Sequence, residues 1–195
     1  MIMALLLALA YFAGSVNFSI LLFRILGKDD PRYHFSGNAG VTNVYRQAGI
    51  FCASIVLILD VGRALAIGAA ALYLLDKSLV SWVGLALVVG NSYPCFHGFQ
   101  GGKGVASYIG FTAALSPVSS ILSCIVWLIV FIIFRIPFVA SFFMILTIAA
   151  ETIITYNHTP VFISGVMATV LLIFYNHKSN ILSLNELFRR KCDSG

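Results

Sequence analysis

Lys103 lies in the stretch GFQGGKGVAS (residues 98–107), where Gly101, Gly102 and Gly104 surround a single ammonium. Without a Cβ, glycine lets successive N–H groups turn toward one point and form an anion-binding nest, to which the lysine adds a full charge. A helix is expected to start at about Gly104, so its positive end would face the same point. A second loop, FSGNAGVTNVYRQAG (residues 35–49), has the same character. Gly37 and Gly40 free the backbone, Ser36, Asn38, Thr42 and Asn43 offer short polar groups, and Arg46 follows within a turn with the fork geometry suited to phosphate. Asn38 and Thr42 can equally cap a helix, which is compatible with anion binding. The loops share the pattern F-x-G-x-x-G-V at 35–41 and 99–105, which the sequence alone reads as chance rather than duplication. Neither is a P-loop, because His97 stands where that pattern requires Gly and Gly104 where it requires Ser or Thr. A third stretch, YNHKSNI (residues 175–181), carries His177, the one histidine placed for proton transfer beside the other two loops. Two nests on one face imply two anionic groups bound together.

The elements that must position these residues are oily. The 195-residue chain is 60% hydrophobic and 10% charged, with a mean hydropathy of +0.98. Apolar runs near the ~20 residues needed to cross a bilayer recur along it. Backbone in hydrocarbon must satisfy its own hydrogen bonds, and the runs lack the alternation of barrel strands, so they are expected to be helices. The expectation is an all-α polytopic membrane protein forming one integral membrane domain over 1–195. Its spans are placed at about 2–26, 49–75, 80–96, 104–116, 118–134, 138–155 and 160–176, with 177–195 an interfacial cytosolic tail. Seven transmembrane helices put Lys28, Arg32, Arg46, Lys103, Arg135, Lys178, Arg189, Arg190 and Lys191 on one face and leave Lys77, beside Asp76, on the other. That asymmetry sets the N-terminus outside and the C-terminus in the cytosol, with both glycine loops on the cytosolic face. The same bias accounts for the formal charge of +5, so nucleic acid is excluded as a partner. The first run lacks the basic start of a cleaved signal. Cys52, Cys95, Cys124 and Cys192 are scattered and complete no metal site. Within the spans, Asp60 and Arg63 are three apart and read as a structural pair facing the bundle interior. The stretch GSVNFS (residues 14–19) interrupts the first run with small residues and an Asn17 that requires a bundle partner. Ile181, Leu184, Leu187 and Phe188 share a helical face ahead of Arg189, Arg190 and Lys191, the pattern of a helix lying on an anionic membrane surface.

With GS at 14–15, SGNAGVTNVYR at 36–46, GFQGGKGVAS at 98–107, VAS at 139–141 and HKSNI at 177–181, the chain resembles the bacterial membrane glycerol-3-phosphate acyltransferases of the PlsY type along essentially its whole length. The resemblance implies seven spans and transfer of a fatty acyl group from acyl phosphate to the sn-1 hydroxyl of glycerol 3-phosphate, giving lysophosphatidic acid and phosphate in phospholipid synthesis. It implies no cofactor, an inner-membrane location, and an acyl-phosphate-producing enzyme as a candidate partner. Carried over by position, it makes Lys103, His177 and Asn180 catalytic and adds Ser141 to the substrate-binding set of Ser36, Gly37, Asn38, Gly40, Thr42, Asn43, Arg46, Gly101, Gly102 and Gly104. Departures from the family's usual residues fall at Phe35, Asn91, Gln100, Phe138 and Asn176, where Gly, His, Lys, Ser and Arg are the rule. The His-x4-Asp pattern of the other large acyltransferase class is missing: five residues after the histidines stand Ala39, Gly102, Ile163 and Leu182. Three other readings remain beside this one: a paralogue with an altered acceptor, an inactive partner of a lipid-synthesis complex, and an organic-phosphate transporter. For the last, the spans offer little beyond Asn17, Asp60, Arg63 and Glu151 as a polar path.

Overall fold

A computed structural model describes residues 1–184, and every regular element in them is helical. Residues Leu187, Phe188, Arg189, Arg190 and Lys191 of the expected surface helix lie outside the described residues. The first apolar run forms two helices, α1 (Ile2–Ser15) and α2 (Phe18–Ile25). Val16 and Asn17 between them are extended, and the Asn17 side chain accepts from Ile20 N–H at 3.1 Å to cap the second piece. The interruption in GSVNFS is therefore a break, because an Asn that caps a new helix competes with continuing the old one.

Helix α3 (Val41–Leu74) starts eight residues before the expected span and kinks at Gly49, whose φ of 77° only glycine adopts freely. The short segment ahead of that kink carries Thr42, Asn43 and Arg46. Then follow α4 (Val80–Ser92), α5 (Val105–Leu115), α6 (Pro117–Phe134), α7 (Pro137–Thr155), α8 (Pro160–Asn176) and, after a bend of 48° at His177, α9 (Lys178–Leu184). Three of these begin on a proline, where the absent N–H has no intrahelical partner to lose. Helices thus occur at all seven expected places, but among the described residues four segments are long and apolar enough alone to cross a membrane: Ile2–Ile25, Val41–Leu74, Pro117–Phe134 and Pro137–Thr155. Helices α8 and α9 taken together make a fifth. Helix α4 stops at Ser92 rather than near 96, and α5 has 11 residues, about 16 Å of rise.

The packing that places the loops depends on close backbone approach. Helix α1 crosses α4 where a Cβ on Gly90 would strike the Tyr11 carbonyl and one on Gly14 would strike that of Leu87. Helix α3 meets α5 in the same way, with Gly68 against Phe111 and Ala114 and Gly110 against Val61 and Ala64. Lipid is as apolar as leucine, so helices there associate through such contact rather than through burial of oil. Leu5 and Leu9 of α1 and Ile121, Ile129 and Ile133 of α6 face outward.

Candidate active site

The 35–40 loop is held by Asn43. Its Nδ2 donates to the carbonyls of Pro31 (2.7 Å), Asn38 (2.8 Å) and His34 (3.2 Å), which bends the chain around a buried amide. Gly37 sits at φ 64°, and Asn38 Nδ2 donates to the Ser36 carbonyl at 3.2 Å and hydroxyl at 3.0 Å. Helix α3 then starts at Gly40 with no side-chain cap, so neither Asn38 nor Thr42 takes the capping role open to them. Thr42 and Arg46 are exposed on its first turns.

The second loop docks on the end of α4. Gly101 N–H donates to the Ser92 carbonyl at 3.1 Å and Gly102 N–H to the Asn91 carbonyl at 3.0 Å. This corrects the expected nest: those two amides face protein acceptors, and the two glycines are there for closeness. A Cβ on Gly102 would lie 2.9 Å from Asn91 Nδ2 and 3.2 Å from the Ala39 carbonyl. What the loop does present is Lys103, and then Gly104 at φ 87°, the uncapped start of α5. The loops touch each other through Ala39 N–H, which donates to the Gly101 carbonyl at 3.1 Å. A clamp not foreseen from the sequence reinforces this. Arg32 pairs with Asp30 at 2.6 Å and donates from Nη1 to the His97 and Gln100 carbonyls at 2.7 and 2.8 Å. That pairing holds the Asp30 carboxyl below its usual range. The only sequence signal for it is Asp-Pro-Arg starting a short helical turn at Pro31.

The third motif arrives on the bend after α8. Lys103 Nζ donates to Asn180 Oδ1. Burial pushes the Lys103 ammonium down from 10.5 to about 8, with Arg46 adding repulsion, so these two cations share a neighbourhood. Beyond the end of α8, His177 is buried. Its Nδ1 is 2.8 Å from the Ile173 carbonyl, which can only accept, so Nδ1 carries the proton and Nε2 the lone pair. Burial, with Lys103 repelling, pushes His177 down to about 4, which makes it a neutral imidazole near pH 7. The Phe142 ring packs edge-on against it at 5.2 Å. Lys103, Arg46, Asn180 and His177 therefore converge, while Ser36, Asn38 and Asn43 shape the first loop. Ser141 does not join that cluster by its bonds: its hydroxyl donates to the Pro137 carbonyl at 3.0 Å and accepts from Trp127 Nε1 at 3.3 Å. Asn176 ties α8 to α4, donating to Ser92 Oγ at 2.8 Å and accepting from Tyr93 OH at 3.1 Å.

This arrangement, two uncapped helix starts beside a partly buried lysine and an arginine, can hold phosphate groups. The glycerol-3-phosphate acyltransferase model matches residues 4–186. The chain belongs to the glycerol-3-phosphate acyltransferase family. A relative of that name from Neisseria meningitidis serogroup B (strain ATCC BAA-335 / MC58) is 37% identical over 187 residues, covering 92% of each chain. One from Thiobacillus denitrificans (strain ATCC 25259 / T1) is 35% identical over 191 residues, covering 94% of each. Among solved structures, the integral membrane acyltransferase PlsY (YgiH) in its glycerol 3-phosphate form superimposes with a TM-score of 0.88 at 31% identity, covering 95% of this chain and 93% of that one. Its lysophosphatidic acid form gives a TM-score of 0.87 at 30% identity over the same shares. The chain is thus a multi-pass membrane protein whose polar loops gather at one end of α3, α5 and α8.

Proposed function

We propose that the chain transfers a fatty acyl group from acyl phosphate to the sn-1 hydroxyl of glycerol 3-phosphate, releasing lysophosphatidic acid and inorganic phosphate. The observation that carries this reading is the meeting of the three polar motifs, with Lys103 donating to Asn180 while Arg46 and His177 stand within electrostatic reach. Both substrates bear a phosphate, and the site has two places for one. Thr42 and Arg46 with the start of α3, on a loop shaped by Ser36, Gly37, Asn38, Gly40 and Asn43, form the first; Lys103 with the start of α5 after Gly104 forms the second, its loop held against α4 by Gly101 and Gly102. His177 Nε2 and Asn180 hold the acceptor so that its hydroxyl lies near the acyl carbon. Ser141 supports His177 at one remove, through the packing of its neighbour Phe142.

In the reaction, the hydroxyl oxygen attacks the acyl carbonyl carbon. An ester C–O bond forms, the bond from that carbon to the phosphate oxygen breaks, and phosphate leaves with the electron pair. Lys103 and Arg46 stabilise the charge that builds on the carbonyl and the leaving group. The hydroxyl proton passes to phosphate, whose second pKa of about 6 suits it as a base, while burial keeps His177 a neutral imidazole that positions the hydroxyl. An acyl phosphate already carries a good leaving group, so little acid help is required. Positive charge on the loop side of the bundle supports a cytosolic placement of that side, with the N-terminus outside, and the family supports the bacterial inner membrane as the location. An acyl-phosphate-producing enzyme is then the partner that supplies the donor. In the test, purified protein is mixed with acyl phosphate and glycerol 3-phosphate and inorganic phosphate is followed. Release that depends on the acceptor and fails in Lys103→Ala is expected; no release, or release unchanged by that substitution, defeats the reading.

A further inference from the structure

Beneath the glycine loops, inside the bundle, lies a second polar cluster centred on Arg63, whose side chain is 9% exposed. Nη2 pairs with Asp60 Oδ1 at 2.8 Å, donates to Ser107 Oγ at 3.1 Å and reaches Asn91 Oδ1 at 3.5 Å. Nη1 donates to the Val16 carbonyl, and to that of Gly14 at 3.4 Å. The guanidinium also stands 5.1 Å from the centre of the Phe18 ring. A charge in a membrane interior is costly, and an ion pair kept for stability alone requires only its two members. Arg63 does more. Nη1 serves carbonyls at the α1–α2 break, and Nη2 reaches the end of α4 and the first turn of α5.

Those are the anchor points of both glycine loops. Asn91 accepts Gly102 N–H at 3.0 Å through its carbonyl while its side chain meets Arg63. Ser107 lies on the turn that follows Gly104. On the other side, Asn17 follows Val16 directly, and its Nδ2 donates to the Ala39 carbonyl at 3.4 Å, with Ala39 in turn donating to Gly101. We propose that Arg63, oriented by Asp60, is a positioning residue that holds the two glycine loops in register, so that Lys103 and Arg46 bear on anions placed for reaction with one another. Arg63 itself touches neither anion.

The inference rests on the acyl-transfer reading for its kinetic arm, so binding is measured as well. Calorimetry with inorganic phosphate and with glycerol 3-phosphate on detergent-purified protein reports the loops without turnover. A parent that binds but does not turn over counts against the functional reading alone. Arg63→Met leaves Asp60 buried and unpaired, so it should lower the thermal midpoint and weaken binding together. Asp60→Asn/Arg63→Met removes both charges and should regain much of the midpoint. Its phosphate affinity should stay about tenfold or more below the parent and its kcat/KM about 100-fold below, since a misplacement near 1 Å is enough for that. Asn91→Ala keeps the ion pair and removes one anchor, so it should raise the KM for glycerol 3-phosphate several-fold at a near-parental midpoint; it also serves if the Arg63 variants do not fold. Recovery of binding and kcat/KM alongside stability in the double variant overturns the proposal, as does an unchanged KM in Asn91→Ala.

Discussion

Lys103→Met is the sharpest perturbation of the proposed chemistry, because methionine keeps the stem and deletes the charge. The structure sets the scale. Lowering the ammonium from 10.5 to about 8 means the empty site disfavours the cation by ~3 kcal/mol, with burial the larger cause and Arg46 the smaller. An arriving phosphate reverses both effects, so the lysine is a cation poised for an anion. A charge-assisted hydrogen bond contributes about 1.5–3 kcal/mol, or roughly 10- to 150-fold in affinity for one phosphate. If the same contact tightens as charge moves onto the leaving phosphate, a further ~2 kcal/mol or more falls on kcat. A decrease in kcat/KM of at least about 100-fold is therefore expected, shared between KM and kcat. The assay is continuous phosphate release with acyl phosphate varied at saturating glycerol 3-phosphate, with the thermal midpoint measured alongside. Loss of the Asn180 contact alone would move the midpoint and spare the chemistry. A kcat/KM within threefold of the parent would refute the assignment.

The remaining predictions use the same samples. Because Lys103 must be protonated to hold the donor's phosphate, affinity for acyl phosphate should fall about tenfold per pH unit above about 8, and Lys103→Arg should move that limb upward. His177 is pushed from 6.5 to about 4, so the folded state binds fewer protons than the unfolded one in between. Stability should be complete above 6.5 and lost as pH falls through about 4, by up to roughly 3 kcal/mol, and His177→Gln should flatten that fall in the midpoint. Gly104→Ala places a Cβ 2.5 Å from Val88 Cγ1 at φ 87°, so it should lower stability by about 1–3 kcal/mol and activity with it. A near-parental midpoint in that variant would show that the loop refolds around the side chain.

The apolar runs made the helices legible, but the break at Asn17 and the kink at Gly49 were not foreseen: the first run was expected as one span with Asn17 seeking a bundle partner, and α3 was expected to start only at 49. Charge asymmetry put the loops on one face. The use of each polar group was not legible, because it depends on which carbonyls a distant element supplies. Gly101 and Gly102 look like anion donors until α4 ends at Ser92 and presents its free carbonyls to them. Arg32 counted as one more positive charge on a face, yet it closes one loop on the other through two carbonyls nearly seventy residues away. Asp60 and Arg63 were correctly paired from their spacing, but their reach to Val16, Asn91 and Ser107 depends on three other helices. The family resemblance located Lys103, His177 and Asn180, and the structure brings them together; it leaves Ser141 bonded elsewhere.

The shared pattern F-x-G-x-x-G-V has a local structural counterpart that the sequence did not suggest. Phe35 and Phe99 both take the left-handed region, at φ 54° and 57°, Gly40 and Gly104 both precede a helix without a side-chain cap, and Val41 and Val105 both start one. The middles differ, since Gly37 has φ 64° while Gly101 lies tight against Asn91 and Pro94. Agreement at the ends alone points to a common constraint rather than common ancestry. A helix start that offers N–H groups to an anion must not have them claimed by a serine or asparagine, and glycine is the preferred cap that makes no such claim. Gly40→Ser tests this. Gly40 is extended, at φ −111° and ψ 159°, and a Cβ there meets only the tip of Asn38, at 2.8 Å. The serine should therefore cap α3 and add a few tenths of a kcal/mol to stability. By occupying an amide that phosphate would otherwise use, it should also raise a substrate's KM several-fold. Stability and KM rising together is the expected signature; a cap that leaves the KM at the parental value would show that the start of α3 does not hold the anion.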